Sequence, residues 1–207
     1  MDFDIIGNLD ADLTFEPDYM AFLIAKFNDD PLLGVAGTPF IEGPGQTGYD
    51  FRFANIEHVS GACQLFRRKC FNDIGGYIPI KGGGIDWVAV TTARMKGWKT
   101  QTFIDKYVFH NRSIGTGKGN RLSARFKLGK KDYSLGNQLV WEIARAFFSM
   151  RQRPYLIGGV LLFIGYLHAA VFQKKRPISD ELIAFYRSEQ AARLKNILLN
   201  LLLFRKR

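Results

Sequence analysis

Residues 5–15 read IIGNLDADLTF, an apolar segment that ends in two aspartates, Asp10 and Asp12, one residue apart. The apolar part, Phe3 to Asn8, predicts a buried β-strand. If that strand continues to Leu13, both carboxylates project from the same side, because side chains alternate along a strand. Two carboxylates so close repel each other unless a cation lies beside them, and hard divalent ions prefer carboxylate oxygen. The segment is therefore consistent with a solvated turn and with a metal site.

Strand and helix patterns alternate along the chain as far as His110. Helices are predicted over residues 15–30, 69–77 and 87–96, and strands over residues 32–40, 58–68 and 98–110. Strands that alternate with helices in this way predict an α/β fold. In open α/β sheets, ligands bind beyond the carboxyl ends of the strands. The position of Asp10 and Asp12 at the end of a strand therefore favours the metal site.

Past Tyr133 the pattern contains helices only. Residues 141–153 are amphipathic, residues 155–172 carry no formal charge, and a last helix is predicted from Ser179. The uncharged segment is at the short end of the roughly 17–25 residues that span a bilayer, and cations lie on both sides of it. A spanning helix, a helix at the membrane interface and a buried core helix all fit the pattern. We expect membrane association.

The chain is basic, with a formal net charge of +10. Its partners are therefore expected to be anionic: a phosphate-rich substrate, nucleic acid or an acidic membrane surface. Residues 112–131 contain no acid, and their glycines predict a loop that can close over an anion, with a solvated loop as the alternative. The cations of this segment are Arg112, Lys118, Arg121, Arg125, Lys127, Lys130 and Lys131. No pattern typical of RNA-binding domains occurs, so we expect no nucleic-acid partner.

Three segments together resemble the family 2 glycosyltransferases, enzymes of the GT-A fold. LDADLTFEPDYM (9–20) is similar to the family's D-x-D segment. GGGIDWVAVTTARMKGWKT (82–100) is similar to its second signature, in which an aspartate opens a helix that ends in a Gly-aromatic-basic step. HVSGACQLFRRKCFNDIGGY (58–77), between them, is similar to its acceptor-side segment, and FYRSEQAARL (185–194) resembles bacterial members that build cell-surface polysaccharides.

The resemblance implies an architecture as well. Residues 1–132 would be the C-terminal portion of a GT-A catalytic domain, and residues 133–207 a helical, membrane-associated extension. In the family, a nucleotide-binding half of roughly 90 residues precedes the D-x-D segment, whereas here that segment lies close to Met1. We therefore expect a partial GT-A fold that lacks this half, and a chain that by itself binds nucleotide poorly and is inactive.

The same resemblance implies roles for single acidic residues. Asp10 would contact the nucleotide, and Asp12 would ligate Mg²⁺ or Mn²⁺ at the diphosphate. Asp86 would be the general base that takes a proton from the acceptor hydroxyl. Ile85 stands where the family usually has an acid, and the alternative role for Asp86 is that of a helix N-cap.

Further residues at and after the end of the last predicted strand would complete the donor site. His110 would join the metal site, and Arg112 and Lys118 would hold phosphate oxygens of the donor. For His110 a structural role is the alternative, since a single histidine is more often structural than a ligand.

The implied activity is the transfer of a sugar, with inversion, from a nucleotide-diphosphate donor to a hydroxyl of a saccharide or lipid-linked acceptor. The protein would act at the cytoplasmic face of the cell membrane, as a peripheral or single-span protein. Two alternatives remain: a non-catalytic basic protein that binds membrane or RNA, and a glycoside hydrolase with two catalytic carboxylates. The hydrolase is disfavoured, because Asp10 and Asp12 would lie on one edge instead of flanking the bond to be cleaved.

Overall fold

In a computed structural model of the chain, the described residues are 2–42, 46–47, 56–111, 121–152, 154–173 and 175–204. The chain divides into two compact units, Met1–Pro79 with Gly84–Gly117, and Ile80–Gly83 with Lys118–Arg207. The first unit contains strands and helices, and the described elements of the second are all helices. The α/β class predicted from the sequence is confirmed in the form of a mixed α/β structure.

The elements are numbered in chain order. The strands are β1 (Ile5–Leu9), β2 (Leu13–Thr14), β3 (Leu33–Gly37), β4 (Phe40–Glu42), β5 (Gln46–Thr47), β6 (Cys63–Arg67), β7 (Lys99–Thr102) and β8 (Val108–His110). The helices are α1 (Tyr19–Asp29), α2 (Arg68–Asp73), α3 (Ile85–Met95), α4 (Arg121–Ser134), α5 (Leu139–Ser149), α6 (Ile157–Phe172) and α7 (Asp180–Phe204). One sheet has the strand order β1-β6-β3-β7 and the other has the order β2-β8-β4-β5.

Two of the predicted strands each contribute to both sheets. The strand predicted over residues 32–40 divides into β3 and β4, and the one predicted over residues 98–110 divides into β7 and β8. β3 pairs with β7 in parallel in the first sheet, and β4 pairs with β8 in parallel in the second. The pairs of β6 with β1 and with β3 are antiparallel, so the first sheet is mixed.

The first strand differs from the prediction in two ways. β1 ends at Leu9, and a turn at Ala11–Asp12 leads into β2, so the strand does not continue to Leu13. β1 is also not buried: Ile5 and Ile6 are half-buried and the next three residues are exposed. The physical reason is that β1 stands last in the strand order of its sheet, with β6 as its neighbour among the described residues.

Apolar side chains cover both faces of the first sheet. Ala36 and Leu65 belong to a cluster with the buried residues of α1, whereas the adjacent Val35 and Phe66 belong to a cluster with α3. This division follows from the alternation of side chains along a strand. The central strands are thus held between α1 and α3. This packing fixes the positions of the loops that follow the strands.

Helices α4 and α6 of the second unit pack with their backbones in close approach. A Cβ atom on Gly129 of α4 would overlap the carbonyl oxygen of Leu162, and one on Gly165 of α6 would overlap the carbonyl oxygen of Phe126. Reciprocal glycines therefore allow this crossing. The packing also explains why residues 121–131 form a helix, contrary to the loop predicted from their charge and glycines: tertiary contacts override a weak local propensity.

A substitution at this crossing is expected to destabilise the second unit. Gly165→Ala should lower the free energy of unfolding by about 1–3 kcal/mol, the usual cost of overpacking, although alanine is the better helix former. Gly158→Ala is the matched control on the same helix, because its Cβ would meet its nearest neighbour at an ordinary 3.5 Å. The control should be neutral or stabilising by up to about 1 kcal/mol. Urea unfolding followed by circular dichroism measures both, and equal stability of the two variants would contradict the crossing.

The second unit also has a buried polar network that joins α4, α5 and α7. Asn137 Nδ2 donates to Glu142 Oε2 at 2.9 Å, and Gln190 Nε2 donates to Asn137 Oδ1 at 3.0 Å. Arg145 is 2.7 Å from Asp132 Oδ2 and 3.9 Å from Glu142 Oε2. Burial, followed by the nearby Asp132 carboxylate, raises the pKa of Glu142 to about 7.

This network predicts a pH dependence of stability. The pKa of folded Glu142 lies above its ordinary value of 4.5, so the folded chain binds more protons than the unfolded chain between about pH 4.5 and 7. The free energy of unfolding should therefore fall as pH rises through this window, by on the order of 1–3 kcal/mol. Glu142→Gln should remove this slope in urea unfolding, whereas Glu181→Gln, on the surface of α7, should keep it. A parent chain that gains stability from pH 5 to pH 7 would contradict the expectation.

Within the described part of the chain, no helix is both long enough and apolar enough to cross a membrane.

The boundary predicted after residue 132 falls inside α4.

Candidate functional site

Pairing between two short strands brings distant polar residues together. Asp10 and Asp12 lie between β1 and β2, and His110 is the last residue of β8. Antiparallel pairing of β2 with β8 places Leu13 opposite His110, and the N–H of Asn111 donates to the Asp12 carbonyl oxygen at 2.9 Å. The backbone therefore holds His110 beside the two aspartates. The resemblance implied that these residues belong to one site.

The three side chains form a compact cluster. His110 Nε2 lies 3.6 Å from Asp12 Oδ1 and 3.9 Å from Asp10 Oδ2. One ligand atom from each residue lies within 4.8 Å of the other two. The exposed fraction of the side chain rises from 8% for His110 through 29% for Asp12 to 51% for Asp10. The cluster is thus anchored on the histidine side and open to solvent on the Asp10 side, so an ion can enter it.

The donor atoms of this cluster fit a divalent ion. Carboxylate oxygens are ligands of both Mg²⁺ and Mn²⁺, and an imidazole nitrogen can add to them. Two carboxylates and one imidazole could therefore hold either of the two ions that the resemblance implies. The imidazole is also held in place from another side, since the His110 ring packs near Phe40 with ring centroids 6.1 Å apart.

Asp86 lies in the first turn of α3. The N-cap of that helix is Gly84, with φ of +100°, and not Asp86. The alternative interpretation of Asp86 as an N-cap is therefore wrong, because the helix begins at Ile85 and its N-cap lies two residues before Asp86. A carboxylate in the first turn is still favourable, since the helix N-terminus carries partial positive charge.

The backbone of residues 61–62 contacts both Asp86 and Asp10. A Cβ atom on Gly61 would stand 2.6 Å from Asp86 Oδ2, so the Asp86 carboxylate lies directly against this glycine. The next carbonyl, that of Ala62, accepts the N–H of Asp10 at 2.9 Å. Asn8 Nδ2 donates to the Gly61 carbonyl oxygen, also at 2.9 Å. The loop before β6 thus places Asp86 and the cluster of Asp10, Asp12 and His110 in one region of the first unit. We call this region the acidic site.

Two residues that the sequence analysis did not single out, Gln64 and Tyr77, form hydrogen bonds that hold the backbone at Asp86. Gln64 is fully buried on β6, and its Nε2 donates to the carbonyl oxygens of Val59 at 2.8 Å and Asp86 at 3.5 Å. The Tyr77 hydroxyl donates to Gln64 Oε1 at 2.7 Å, and burial, followed by the Asp86 charge, raises the pKa of Tyr77. The sequence signal for this role is a glutamine within a predicted strand, between apolar neighbours. Such a side chain is expected to be buried, and a buried polar group needs hydrogen-bond partners.

The other predicted donor-binding residues, Arg112 and Lys118, lie outside the described residues. Their predicted contacts with phosphate oxygens stay predictions.

Comparison with solved structures gives a distant likeness, and comparison with sequences gives none. No protein-family model matches the chain, and no curated protein sequence matches it. A solved structure of a mannosyltransferase from Pyrobaculum calidifontis, in complex with GDP-Man and Mn²⁺, is similar at a TM-score of 0.45 and 17% sequence identity. The match covers 95% of this chain and 50% of that protein, so the chain spans half of its length.

Proposed function

We propose that this chain belongs to a metal-dependent glycosyltransferase that moves a sugar from a nucleotide-diphosphate donor to an acceptor hydroxyl with inversion. The observation that carries the proposal is the acidic site: Asp10, Asp12 and His110 converge, and residues 61–62 connect them to Asp86. The three segments that resemble family 2 enzymes contain these acids, which supports assigning the chain to that family. The two lines of support are independent, because the convergence of His110 depends on strand pairing and not on a motif.

The donor side of the reaction requires stabilisation of a leaving group. A divalent ion held by Asp10, Asp12 and His110 would neutralise the negative charge that develops on a departing nucleoside diphosphate. Asp10, the most exposed of the three, is also able to accept a hydrogen bond from a hydroxyl of the nucleotide. His110, the most buried of the three side chains, would hold the cluster at the end of β8.

The acceptor side requires a base. Asp86 carries a carboxylate that can accept the proton of an incoming hydroxyl, and the missing side chain at Gly61 leaves room for that carboxylate. Gln64 and Tyr77 act behind it by fixing the first turn of α3. With Asp86 as the base and the carboxylates of Asp10 and Asp12 engaged by the ion, the proposed reaction is a single displacement, which would invert the anomeric centre.

The biological setting follows from the resemblance. The acceptor would be a saccharide or a lipid-linked saccharide, and the process would be the synthesis of a bacterial cell-surface polysaccharide at the cytoplasmic face of the membrane.

Metal and nucleotide binding together test the proposal without requiring turnover. Titration of the chain with Mn²⁺, followed by the loss of the electron paramagnetic resonance signal of the free ion, should show one site. UDP or GDP should tighten Mn²⁺ binding, because the diphosphate adds oxygen ligands on the open side of the cluster. UMP or GMP, which lack the second phosphate, are the matched controls and should have a smaller effect. An Mn²⁺ affinity indifferent to all four nucleotides would refute a donor site.

A further inference from the structure

Two acids of the buried polar network share a single cation. The side chains of Asp132 on α4 and Glu142 on α5, which we call the carboxyl pair, are 9% and 0% exposed. The Arg145 guanidinium lies 2.7 Å from Asp132 Oδ2 and 3.9 Å from Glu142 Oε2. If both acids were ionised, one negative charge of the pair would stay uncompensated. Because such a charge is costly in a protein interior, the pair is expected to hold a proton.

The carboxyl pair also lacks a hydrogen bond that a proton would supply. Glu142 Oε2 accepts Asn137 Nδ2, but Glu142 Oε1 and Asp132 Oδ2 are buried without a hydrogen-bond partner in the part of the chain that the structure describes. Ionised carboxylates only accept hydrogen bonds, so they cannot satisfy each other. The two carboxyl groups are within hydrogen-bond reach of one another. A proton on Glu142 Oε1 would therefore make it a donor to Asp132 and would remove the excess charge as well.

Titratable groups on the neighbouring helices do not compete for this proton. Tyr166 of α6 and Tyr186 of α7 lie near the carboxyl pair, and burial raises the pKa of both hydroxyls above the ordinary value of 10.0, so both are neutral. Three further cations near the pair act on these tyrosines: Arg176, Arg187 and Arg193. The cation that lowers the pKa of Glu142 is Arg145.

A chain of hydrogen bonds connects the carboxyl pair to α7. Asn137, which donates to Glu142, accepts Gln190 Nε2 of α7 at 3.0 Å through its Oδ1. Gln190 is 1% exposed, and its Oε1 accepts the N–H of Gln138, the N-cap of α5, at 2.9 Å. Asn137 therefore contacts the carboxyl pair with one end of its amide and α7 with the other. A displacement of Glu142 would reach Gln190 through this one side chain.

We infer that Asp132 and Glu142 bind one proton between them and that this proton holds α7 against α5. When the proton is lost, two adjacent carboxylates repel each other. Asn137 is then displaced with Glu142 and Gln190 loses its buried partner, so α7 opens. The proton thus controls the position of one helix, beyond its contribution to the stability of the whole chain. It involves no residue of the acidic site and does not depend on the proposed reaction.

The first test locates the proton. Carbon-13 spectra of the chain, labelled at aspartate and glutamate carboxyl carbons, are recorded from about pH 4 to pH 8, with Glu142→Gln and Asp132→Asn to assign the signals. Glu142 should titrate at about pH 7, and the Asp132 carbon should shift in the same step, because interacting sites titrate together. In Asp132→Asn, the titration of Glu142 should move down by about one pH unit or more. A Glu142 that titrates at its ordinary value of 4.5, or that is indifferent to Asp132→Asn, would refute the shared proton.

The second test follows α7 by amide hydrogen exchange. Since the pKa of Glu142 is about 7 in the closed state and 4.5 as its ordinary value, opening of α7 should become about tenfold more favourable between pH 6 and pH 8. Protection of the α7 amides, corrected for the intrinsic exchange rate at each pH, should fall by that factor. Glu142→Gln supplies a permanent donor of the same shape and should keep protection constant, as should Asp132→Asn, which leaves one acid for one cation. The matched control Glu181→Gln, exposed on the same helix, should behave as the parent chain does.

Two outcomes of the exchange experiment would overturn the role of the proton. Glu142→Gln and Asp132→Asn could lose protection at the higher pH as the parent chain does, which would assign the opening to another group. The amides of α6 could lose protection by the same factor as those of α7, which would reduce the effect to the stability of the whole second unit.

Discussion

In any preparation of the protein that catalyses glycosyl transfer, replacing Asp86 with asparagine is expected to lower the transfer rate by about 10²–10⁴-fold, the usual contribution of a general base. Asparagine has the shape of aspartate but cannot accept the proton of the acceptor hydroxyl. Mn²⁺ affinity should stay at the parent value, because Asp86 is not among the three clustered ligands. The measurements are the initial rate of product formation from a nucleotide-sugar and the titration of free Mn²⁺. Loss of Mn²⁺ binding together with transfer would assign Asp86 a structural role instead.

A second substitution tests the same carboxylate without changing it. Gly61→Ala would place a Cβ atom 2.6 Å from Asp86 Oδ2 and 2.8 Å from Asp86 Cβ, so the carboxylate must move. We expect transfer to fall at least about tenfold, since small misplacement of a reacting group is costly, with Mn²⁺ affinity nearly unchanged. Gly158→Ala in the second unit is the control for a tolerated glycine replacement and should keep the parent rate. A Gly61→Ala variant as active as the control would remove Asp86 from the reaction.

Replacing Asp12 with asparagine is expected to weaken Mn²⁺ binding by about 100-fold or more and to abolish transfer that depends on the ion. The change removes one of two negative charges facing the ion while keeping the size of the side chain, and hard ions bind carboxylate in preference to amide oxygen. Titration of free Mn²⁺ provides a measurement that needs no turnover.

The matched control for Asp12 is Asp105→Asn, an exposed aspartate between β7 and β8 of the same unit. It removes the same charge from the surface and should leave Mn²⁺ affinity within about twofold of the parent, because an exposed charge at a distance is screened. Equal weakening in both variants would show that the loss came from net charge and not from a ligand.

Local patterns predicted the elements that carry the site better than they predicted its assembly. The apolar run before Asp10 and the glycines before Asp86 are sequence signals, and they correctly placed a strand before one acid and a helix at the other. The pairing of β2 with β8 involves two residues of β2. No short-range pattern encodes so small a contact, so only the resemblance suggested that His110 joins the aspartates.

Errors in the fold prediction have the same origin. Residues 32–40 and 98–110 are each predicted as one strand, and periodicity alone does not reveal where a strand leaves one sheet for another. Residues 121–131 have the charge of a loop, yet α4 forms because Gly129 lets it pack closely on α6. In each case a long-range contact overrode the local preference.

The loop before β6 has a consequence for how this chain can vary. Asn8, Asp10 and Asp86 all contact residues 61–62, so these two residues set the spacing between the proposed metal site and the proposed base. Surface loops generally tolerate changes of length, but one residue gained or lost here would shift both proposed sites at once. We therefore expect natural variants of this chain to keep the length of this turn.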